Sequence, residues 1–361
     1  MSNRIKDSIR FFDKFTFSIL LLLTISGITL IYSVSHTLNA SYFSRQLLFF
    51  FVVIVAFFFV FRIKTEILFD YSFGLYLLLL IALSLQLLMG VIIAGTKSWI
   101  KMGFFSVQVS EFIKIPLALY LAKIITKVSI IDWRFFFKLL VVVGIPFILI
   151  ALQPDLGTAF MLCSFLIFIV ILKKIRLVII IFTLLAIAAG SFIGWNYILK
   201  PYQKGRIISF INPEKYKKSS GYHIIQSKIA IGSGGLTGKG FLNGTQSQYK
   251  FLPTRHTDFI AAVLGEEFGF LGISFLFVLF FILFYRQFNI KTDSDEEFYY
   301  VYFFNGLILF QFLVNILMSI GYFPIMGIPL PFVSYGGSSL LAFFIGEALV
   351  FRIKINSFLS D

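Results

Sequence analysis

Charged residues are scarce in this sequence: they make up 13% of the 361 residues, whereas 59% are apolar. A soluble domain carries about 25% charged residues and cannot expose so much apolar surface to water. Cys163 is the only cysteine, which excludes a disulfide within the chain. Histidine occurs three times, without a C-x-x-C or H-E-x-x-H pattern, so we expect no built-in zinc site. The excess apolar surface must therefore face lipid.

Apolar runs continue from residue 15 to residue 352, and they predict an all-α, polytopic membrane protein with a single domain over residues 1–361. The first run follows a basic N-terminus but has spanning length and no clear cleavage site, so it is interpreted as a retained helix. Lys114 and Pro116 interrupt the fourth run, which predicts a tilted span or one that its neighbours bury. The ten predicted spans are 15–33, 46–61, 72–93, 111–127, 136–152, 157–172, 177–199, 268–288, 298–320 and 337–352.

The loops between these spans differ strongly in basic residues. One side of the membrane collects 17 of the 31 Lys and Arg residues, including those near both ends of the chain. The short loops of the other side hold only Arg45, Lys97 and Lys101, with Lys114 at a helix entrance. Because positive loops stay inside, we expect a multi-pass protein of the cytoplasmic membrane with both termini in the cytoplasm.

The remaining ten basic residues lie in one long extracytoplasmic loop, about 200–267, between spans seven and eight. Their charge indicates either a solvated or lipid-headgroup surface, or an anionic ligand such as a phosphate or diphosphate. Residues 221–231 show helical spacing of isoleucine, which predicts an amphipathic helix along the interface. Six glycines between Gly232 and Gly244 predict tight turns and close approach of the backbone.

Polar residues gather near the end of this loop. The R-H-T-D stretch at 255–258 puts a carboxylate beside a guanidinium and an imidazole. Thr257 or Asp258 could simply cap a following helix. Glu266 and Glu267 come about two turns later. Carboxylates at a membrane boundary are costly unless they are used, so the cluster is also a candidate functional site.

Polar residues elsewhere have simple structural interpretations. Glu111 and Lys114 are spaced i, i+3, which predicts an ion pair. Asp155 follows a proline between spans five and six and is predicted to cap a helix. Trp99 is interpreted as an interface anchor. The stretch 327–339 is rich in Pro and Gly, which indicates a re-entrant segment lining a cavity.

Seven motifs occur in order along almost the whole chain. They are K-S-W-I at 97–100, Q-V-S-E-F-I-K at 108–114, Q-P-D-L-G-T at 153–158, G-Y-H-I-I-Q-S-K-I-A-I-G-S-G-G at 221–235, R-H-T-D-F-I at 255–260, G-E-E-F-G at 265–269 and G-I-P-L-P-F-V-S-Y-G-G-S-S at 327–339. In this order they closely resemble the SEDS family (shape, elongation, division and sporulation), which includes RodA, FtsW and SpoVE. The short tails look more like RodA than FtsW. Two departures are Val109, where the family usually has Pro, and Ser98 before Trp99, where it often has Arg.

The resemblance implies a peptidoglycan glycosyltransferase of the bacterial inner membrane, which polymerises lipid II at the outer face for elongation and cell shape. It also implies a class B penicillin-binding protein as partner, together with membrane lipids and no nucleic acid. In the family the acid of the H-T-D motif is the catalytic candidate, which is Asp258 here, and the functional tryptophan matches Trp99. A lipid II flippase and a non-catalytic scaffold of the wall-synthesis complex stay open as alternatives.

Such a polymerase needs a base and a holder for the leaving group. A sugar hydroxyl attacks an anomeric carbon, and Asp258 is the predicted general base. Arg or Lys, with or without a divalent Mg²⁺ or Mn²⁺ ion, can hold the departing diphosphate. The predicted substrate-binding residues are Arg206, Lys239, Arg255, His256, Trp99 and Lys97. The predicted structural or cavity-lining residues are Glu111, Lys114, Asp155, Glu266, Glu267, Ser334 and Glu347.

Overall fold

The computed structural model describes residues 11–36, 41–93, 96–103, 105–199, 201–216 and 220–360. The helices in this part of the chain are α1 (Lys14–Ser35), α2 (Ser41–Val60), α3 (Thr65–Asp70), α4 (Ser72–Met89), α5 (Val109–Phe112), α6 (Lys114–Ile125), α7 (Trp133–Leu152), α8 (Leu156–Leu172), α9 (Leu177–Ile193), α10 (Pro201–Ile211), α11 (Ser220–Gly234), α12 (Thr245–Gln248), α13 (Ile260–Phe288), α14 (Asp295–Ser319) and α15 (Gly337–Ser360). The strands are β1 (Val91–Ile93), β2 (Thr96–Met102), β3 (Phe105–Val107), β4 (Ile130–Ile131) and β5 (Lys174–Ile175).

The ten predicted spans correspond to α1, α2, α4, the pair α5–α6, and α7, α8, α9, α13, α14 and α15. Six of the described helices are long and apolar enough to cross a membrane, and α8 is a shorter apolar helix. The predicted all-α membrane fold is therefore confirmed. The predicted amphipathic helix at 221–231 also forms, as α11.

Several helices of the bundle begin at a residue whose short polar side chain caps them. Asp13, Asp132 and Asp155 each accept a hydrogen bond from the backbone N–H three residues later, at the starts of α1, α7 and α8. Ser294 does the same for α14, whose first turn carries three acids. A side-chain oxygen at this position satisfies an N–H that has no partner within the helix. The capping interpretation of Asp155 is confirmed.

The centre of the bundle is formed by α6 and α14, which pack against each other. All residues of α6 except Tyr120 and Lys123 are buried. The predicted fourth span is divided at Ile113, where α5 ends and α6 begins. Neighbouring helices therefore surround this short segment, as its interrupted apolar run predicts, and it needs no long lipid-facing stretch of its own.

The predicted boundary between the long loop and the eighth span, at residue 267, is wrong. Helix α13 begins at Ile260 and includes both acids of the G-E-E motif. It breaks at Gly269, which has φ 63° and ψ −157°. The break leaves carbonyls without helical partners on one side and N–H groups without partners on the other.

The glycine-rich segment after α11 satisfies these groups. The N–H groups of Lys239 and Gly240 donate to the carbonyls of Glu266 and Glu267, at 3.0 and 2.9 Å. In the other direction, the two N–H groups that follow Gly269 donate to carbonyls of this segment, at 2.9 and 3.1 Å. The glycines thus allow this segment to approach the backbone of α13 closely, as their number predicts. The sequence alone does not identify their partner, which lies 27 to 35 residues further along the chain.

Gly269→Ala should disrupt this junction. A Cβ at Gly269 would lie 2.4 Å from the Gly238 nitrogen, and the backbone angle itself disfavours an L-residue. We expect a loss of about 2–3 kcal/mol in the free energy of unfolding, seen as a lower Tm of the detergent-solubilised protein. Gly144→Ala is the matched control, since a Cβ there meets nothing within 4 Å inside α7. Equal Tm values for the two variants would contradict the packing described above.

Two small sheets depart from the all-α prediction. Strands β1, β2 and β3 form an antiparallel sheet between α4 and α5, and β4 pairs with β5 in parallel. The predicted third span, 72–93, therefore ends as a helix at Met89 and continues as β1. Strands β1, β2 and β3 pair as neighbours along the chain, whereas β4 and β5 join two loops that are distant in sequence.

Candidate active site

Asp258 lies just before α13, at the end of a turn-rich segment. The residue that caps α13 is Phe259, and no side chain caps this helix end. The alternative interpretation of Thr257 or Asp258 as a helix cap is therefore wrong. The Thr257 hydroxyl instead donates to the Thr254 carbonyl at 3.2 Å. The Asp258 carboxylate is thus not used for capping and is available for other chemistry.

The Pro- and Gly-rich stretch 327–339 holds the backbone around Asp258. Ser334 donates to the Thr257 carbonyl at 2.6 Å and accepts from the Leu330 N–H at 2.8 Å. The Tyr335 N–H donates to the His256 carbonyl at 2.9 Å. These hydrogen bonds join residues 327–339 to the backbone of His256 and Thr257, and we call this arrangement the clamp. Ser334 contributes to it by bonding backbone groups.

Asn315 joins the same clamp from inside α14. Its side-chain amide donates to the Asp258 carbonyl at 2.9 Å and to the Ile328 carbonyl at 2.7 Å. Sequence reasoning missed this residue. An asparagine within a predicted span was a usable signal, because polar side chains are costly in lipid and mark interior contacts.

Burial raises the pKa of Asp258 to about 6. Hydrogen bonds from Thr257 and Thr254 and the charge of Arg206 oppose this rise, while the charge of Asp155 adds to it. The side chain nevertheless keeps partial exposure. A carboxylate with such a pKa is mostly ionised at neutral pH and is a stronger base than an ordinary aspartate.

Arg206 and His223 are close enough to influence each other electrostatically. Arg206 is exposed on α10, and its charge lowers the pKa of Asp258 and of His223, although burial is the larger cause for His223. The His223 ring centroid is 6.2 Å from that of Phe259, and its buried Nδ1 atom has no hydrogen-bond partner among the residues that the structure describes. His223 was visible within the G-Y-H motif, but its place beside Phe259 depends on how α11 packs on α13.

Arg255 and His256 point away into the protein. Arg255 is 5% exposed and donates to the Val34 carbonyl at 3.4 Å. The His256 ring packs against Tyr42 and Tyr335, with centroids 4.7 and 5.8 Å apart. Burial, followed by the charge of Arg255, lowers the pKa of His256, so its ring is neutral at pH 7.

Asp155 connects the site around Asp258 with a polar group deeper in the bundle. Its second oxygen accepts from the Gln108 amide at 2.7 Å, in addition to capping α8. Below it, Lys114 and Glu111 form an ion pair of 2.8 Å with both side chains almost fully buried. The Lys114 ammonium also lies 5.5 Å from the centroid of the Phe343 ring. Asp155, Gln108 and this pair thus extend the polar site into the bundle.

Lys239 is engaged in a structural ion pair. It donates to Glu266 at 2.8 Å, and the same carboxylate accepts from the N–H groups of Gln246 and Ser247 at 2.7 and 2.9 Å. Glu266 therefore organises the start of α12, and Lys239 balances its charge. The geometry argues against the predicted role of Lys239 in substrate binding.

The other two acids, Glu267 and Glu347, accept hydrogen bonds from neighbouring helices. Glu267 accepts from Ser33 of α1 and from Gln248 of α12. Glu347 accepts from Gln287, which is the last residue but one of α13. Since Asp258 precedes the opposite end of α13, Glu347 is remote from the site around Asp258 and does not line it.

Trp99 and Lys97 belong to β2. Trp99 pairs across the sheet with Val91 and is partly exposed. The Lys97 ammonium donates to the Leu88 carbonyl near the end of α4, at 3.1 Å. The Lys97 N–H donates to the Gln153 carbonyl at 3.2 Å, which brings this sheet to the corner that carries Asp155.

The candidate site offers little to a metal ion by itself. In the ranges that the structure describes, no group of three His, Cys, Asp or Glu residues could hold one. Asp258 and Asp155 are the carboxylates that influence each other there. A Mg²⁺ ion, which prefers oxygen ligands and retains waters, would fit only if substrate phosphates supplied most of its ligands.

Fold and site together define a multi-pass membrane protein with an acid and cations at one end of its helix bundle. The chain belongs to the FtsW/RodA/SpoVE family of cell cycle proteins, whose model matches residues 13–358. It is 40% identical over 283 residues to peptidoglycan glycosyltransferase MrdB of Escherichia coli K12, covering 77% of this chain and 76% of that protein.

Further similarities agree with this membership. The identity to peptidoglycan glycosyltransferase RodA of Treponema pallidum is 35% over 341 residues, covering 74% of this chain and 79% of that protein. A chain in a solved structure described as a peptidoglycan synthase complex that coordinates polymerization and crosslinking matches with a TM-score of 0.83 and 26% identity. That match covers 96% of this chain and 98% of the other.

Proposed function

We propose that this protein is a peptidoglycan glycosyltransferase that polymerises lipid II, with Asp258 as its general base. The observation that carries the assignment is the state of the Asp258 carboxylate. Asn315 fixes the Asp258 backbone, the carboxylate does not cap a helix, and burial raises its pKa to about 6. Membership in a family that contains peptidoglycan glycosyltransferases supports the reaction class.

The reaction is a single displacement. The acceptor hydroxyl attacks the anomeric carbon of the lipid-linked sugar, and its proton passes to Asp258. The new glycosidic bond forms as the bond from the anomeric carbon to the diphosphate oxygen breaks, so the configuration at that carbon inverts. The leaving group is undecaprenyl diphosphate. Arg206 is the best-placed cation for its charge, because it is exposed and electrostatically close to Asp258.

A Mg²⁺ or Mn²⁺ ion, if required, would bind with the diphosphate. It would supply further positive charge for the leaving group. The protein's own contribution would then be the Asp258 and Asp155 carboxylates and Arg206, which orient the substrate around it.

An apolar cavity supports a substrate that carries a long hydrocarbon chain. It has a volume of about 280 Å³ and opens among α2, α3, α4, α6 and α15. Every residue that lines it is apolar, including Leu75, Leu79 and Ile115. Its lining extends to Val60 and Ile63, next to Arg62 and therefore toward the end of the bundle opposite Asp258. The cavity would take only a distal segment of a polyprenyl chain, and the rest would lie in the bilayer.

The membrane orientation and the partner are further parts of the proposal. Both termini would lie in the cytoplasm, because 17 Lys and Arg residues fall on that side of the loops. Similarity to a chain from a peptidoglycan synthase complex supports a crosslinking partner, which we propose is a class B penicillin-binding protein. The cellular role would be elongation and shape.

Incubating the purified chain with lipid II tests the function directly. We expect glycan strands, detected by gel electrophoresis of labelled product. Movement of lipid II across vesicle membranes without strands would favour the flippase alternative. Partner binding with neither activity would favour the scaffold. Both of these outcomes would overturn the proposed polymerase.

The pH dependence of polymerisation tests the base. The ionised form of Asp258 is the active one, so the rate should be near its plateau at pH 7 and fall as the pH decreases through about 6. Below that value we expect about a tenfold loss for each pH unit. Initial rates between pH 5 and 8 measure this profile. A flat profile over that range, with the protein still folded, would exclude Asp258 as the titrating base.

A further inference from the structure

One corner of the bundle, remote from Asp258, combines exposed cations with aromatic rings. It lies where α7 and α9 begin. Strands β4 and β5 hold the two loops together through the pairs Ile130–Lys174 and Ile131–Ile175. The rings of Trp133 and Phe182 contact each other edge to face, with centroids 5.6 Å apart. The starts of the two helices are therefore neighbours.

Five cations are exposed at this corner, which we call the basic corner: Lys127, Arg134, Lys138, Lys174 and Arg176. None of the five forms an ion pair within the part of the chain that the structure describes. The acid next to them in sequence, Asp132, accepts from a backbone N–H as the cap of α7. The local charge is strongly positive.

This arrangement is unfavourable without an anion. Arg134 and Lys138 are spaced i, i+4 on α7, where like charges repel each other. Arg134 stands in the first turn of α7, at the positive end of the helix dipole, and the first turns of α7 and α9 contain no acid. The start of α14 shows the opposite pattern, with three acids in its first turn. Membrane topology requires cations in the loops, but not two of them one turn apart on an exposed helix face.

Exposed rings continue the corner toward the middle of the membrane. Phe137 lies between Arg134 and Lys138 in sequence, and its ring is 67% exposed. Phe182 of α9 is 57% exposed and Trp133 is 45% exposed. Tryptophan prefers the level of the lipid headgroups, and phenylalanine prefers the acyl chains below them.

We propose that the basic corner binds an anionic phospholipid from the leaflet on the side of the chain termini. Arg134 and Lys138 hold the phosphodiester, with the loop cations around it, and the acyl chains lie along Phe137 and Phe182. Arginine suits this role because its planar fork matches two phosphate oxygens. Basic sites between membrane helices are a known form of headgroup recognition.

Native mass spectrometry of the full chain with dioleoylphosphatidylglycerol tests this site. Arg134→Gln/Lys138→Gln should raise the apparent Kd of the first bound lipid about tenfold. Arg62→Gln/Lys64→Gln is the matched control, since both residues are exposed cations at the same end of the bundle. It should change the Kd by less than about twofold. Arg134→Lys/Lys138→Arg should retain binding, and dioleoylphosphatidylcholine should bind the native protein at least about tenfold more weakly.

Three results would overturn the proposal. One is an equal loss of binding in the matched control, which would indicate diffuse charge attraction. Another is equal binding of the zwitterionic lipid. The third is displacement of phosphatidylglycerol by millimolar inorganic phosphate, which would make a free anion the ligand. If the double variant does not fold, Arg134→Gln and Lys138→Gln alone should each raise the Kd about threefold, and unchanged values in both would equally exclude the site.

Discussion

Asp258→Asn is expected to abolish glycan polymerisation while leaving a folded, membrane-inserted protein. Asparagine has the same shape but cannot accept the proton of the acceptor hydroxyl, and general bases contribute about 10²–10⁴-fold to rates. The fold should survive because the Asp258 side chain does not cap α13 and because its backbone carbonyl keeps the bond from Asn315. Lipid II turnover by the purified variant, measured beside its Tm, provides the test.

The controls for this variant separate the base from other carboxylates. Asp132→Asn removes an exposed acid at the start of α7, outside the proposed catalytic site, and should keep full activity. Asn315→Ala leaves the carboxylate but removes a hydrogen bond to the Asp258 backbone, so it should lower the rate less than Asp258→Asn does. Full activity in Asp258→Asn would remove Asp258 from the mechanism. Activity in Asp258→Ala that is lost in Glu267→Gln would transfer the base to another residue.

Lys114→Met is expected to cost about 3–5 kcal/mol of stability, the largest effect of a single substitution that we expect on folding. It leaves the Glu111 carboxylate buried without its partner, whose nitrogen is 2.8 Å away. A buried charge without compensation is far more costly than the pair is stabilising. The Tm of the solubilised protein, compared at one pH with that of the native chain, measures this loss.

The double variant Glu111→Gln/Lys114→Met distinguishes charge from packing. It removes both charges while retaining similar side-chain volumes, so much of the stability should return. A double variant as unstable as Lys114→Met would show that the lost contact with the Phe343 ring and the surrounding packing, rather than the unpaired charge, dominates. Polymerisation by the double variant would then report whether this deep pair is also needed for the reaction.

Some site residues could be predicted because their roles depend on local sequence. Asp155 follows a proline and precedes an apolar run, and it caps α8 as expected. Glu111 and Lys114 are one turn apart on a helical pattern, and they form their ion pair across the junction of α5 and α6. In both cases the partners are within four residues, so spacing alone contains the information.

Other residues could not be assigned in this way. Lys239 looked like a diphosphate ligand because it is a cation in a basic loop, but its partner Glu266 is 27 residues away. Glu347 was predicted to be structural or to line a cavity, and only the hydrogen bond from Gln287, at the far end of α13, shows that it is structural. Asn315 was not singled out, although it holds the backbone of the proposed base. Each of these roles depends on a contact between distant elements.

The sequence by itself determined that this protein is an α-helical membrane protein, since its apolar runs must face lipid and must satisfy their own backbone bonds. It also indicated which acid to examine, because the motifs resemble the FtsW/RodA/SpoVE family, in which the acid of the H-T-D motif, Asp258 here, is the catalytic candidate. Only the tertiary structure decided what each charge does. Burial raises the pKa of Asp258 and the clamp from residues 327–339 holds the neighbouring backbone, whereas packing turns Lys239 and Glu266 into a structural pair. The physical reason is that a backbone pattern is local, but the pKa and partner of a side chain depend on whatever the fold places beside it.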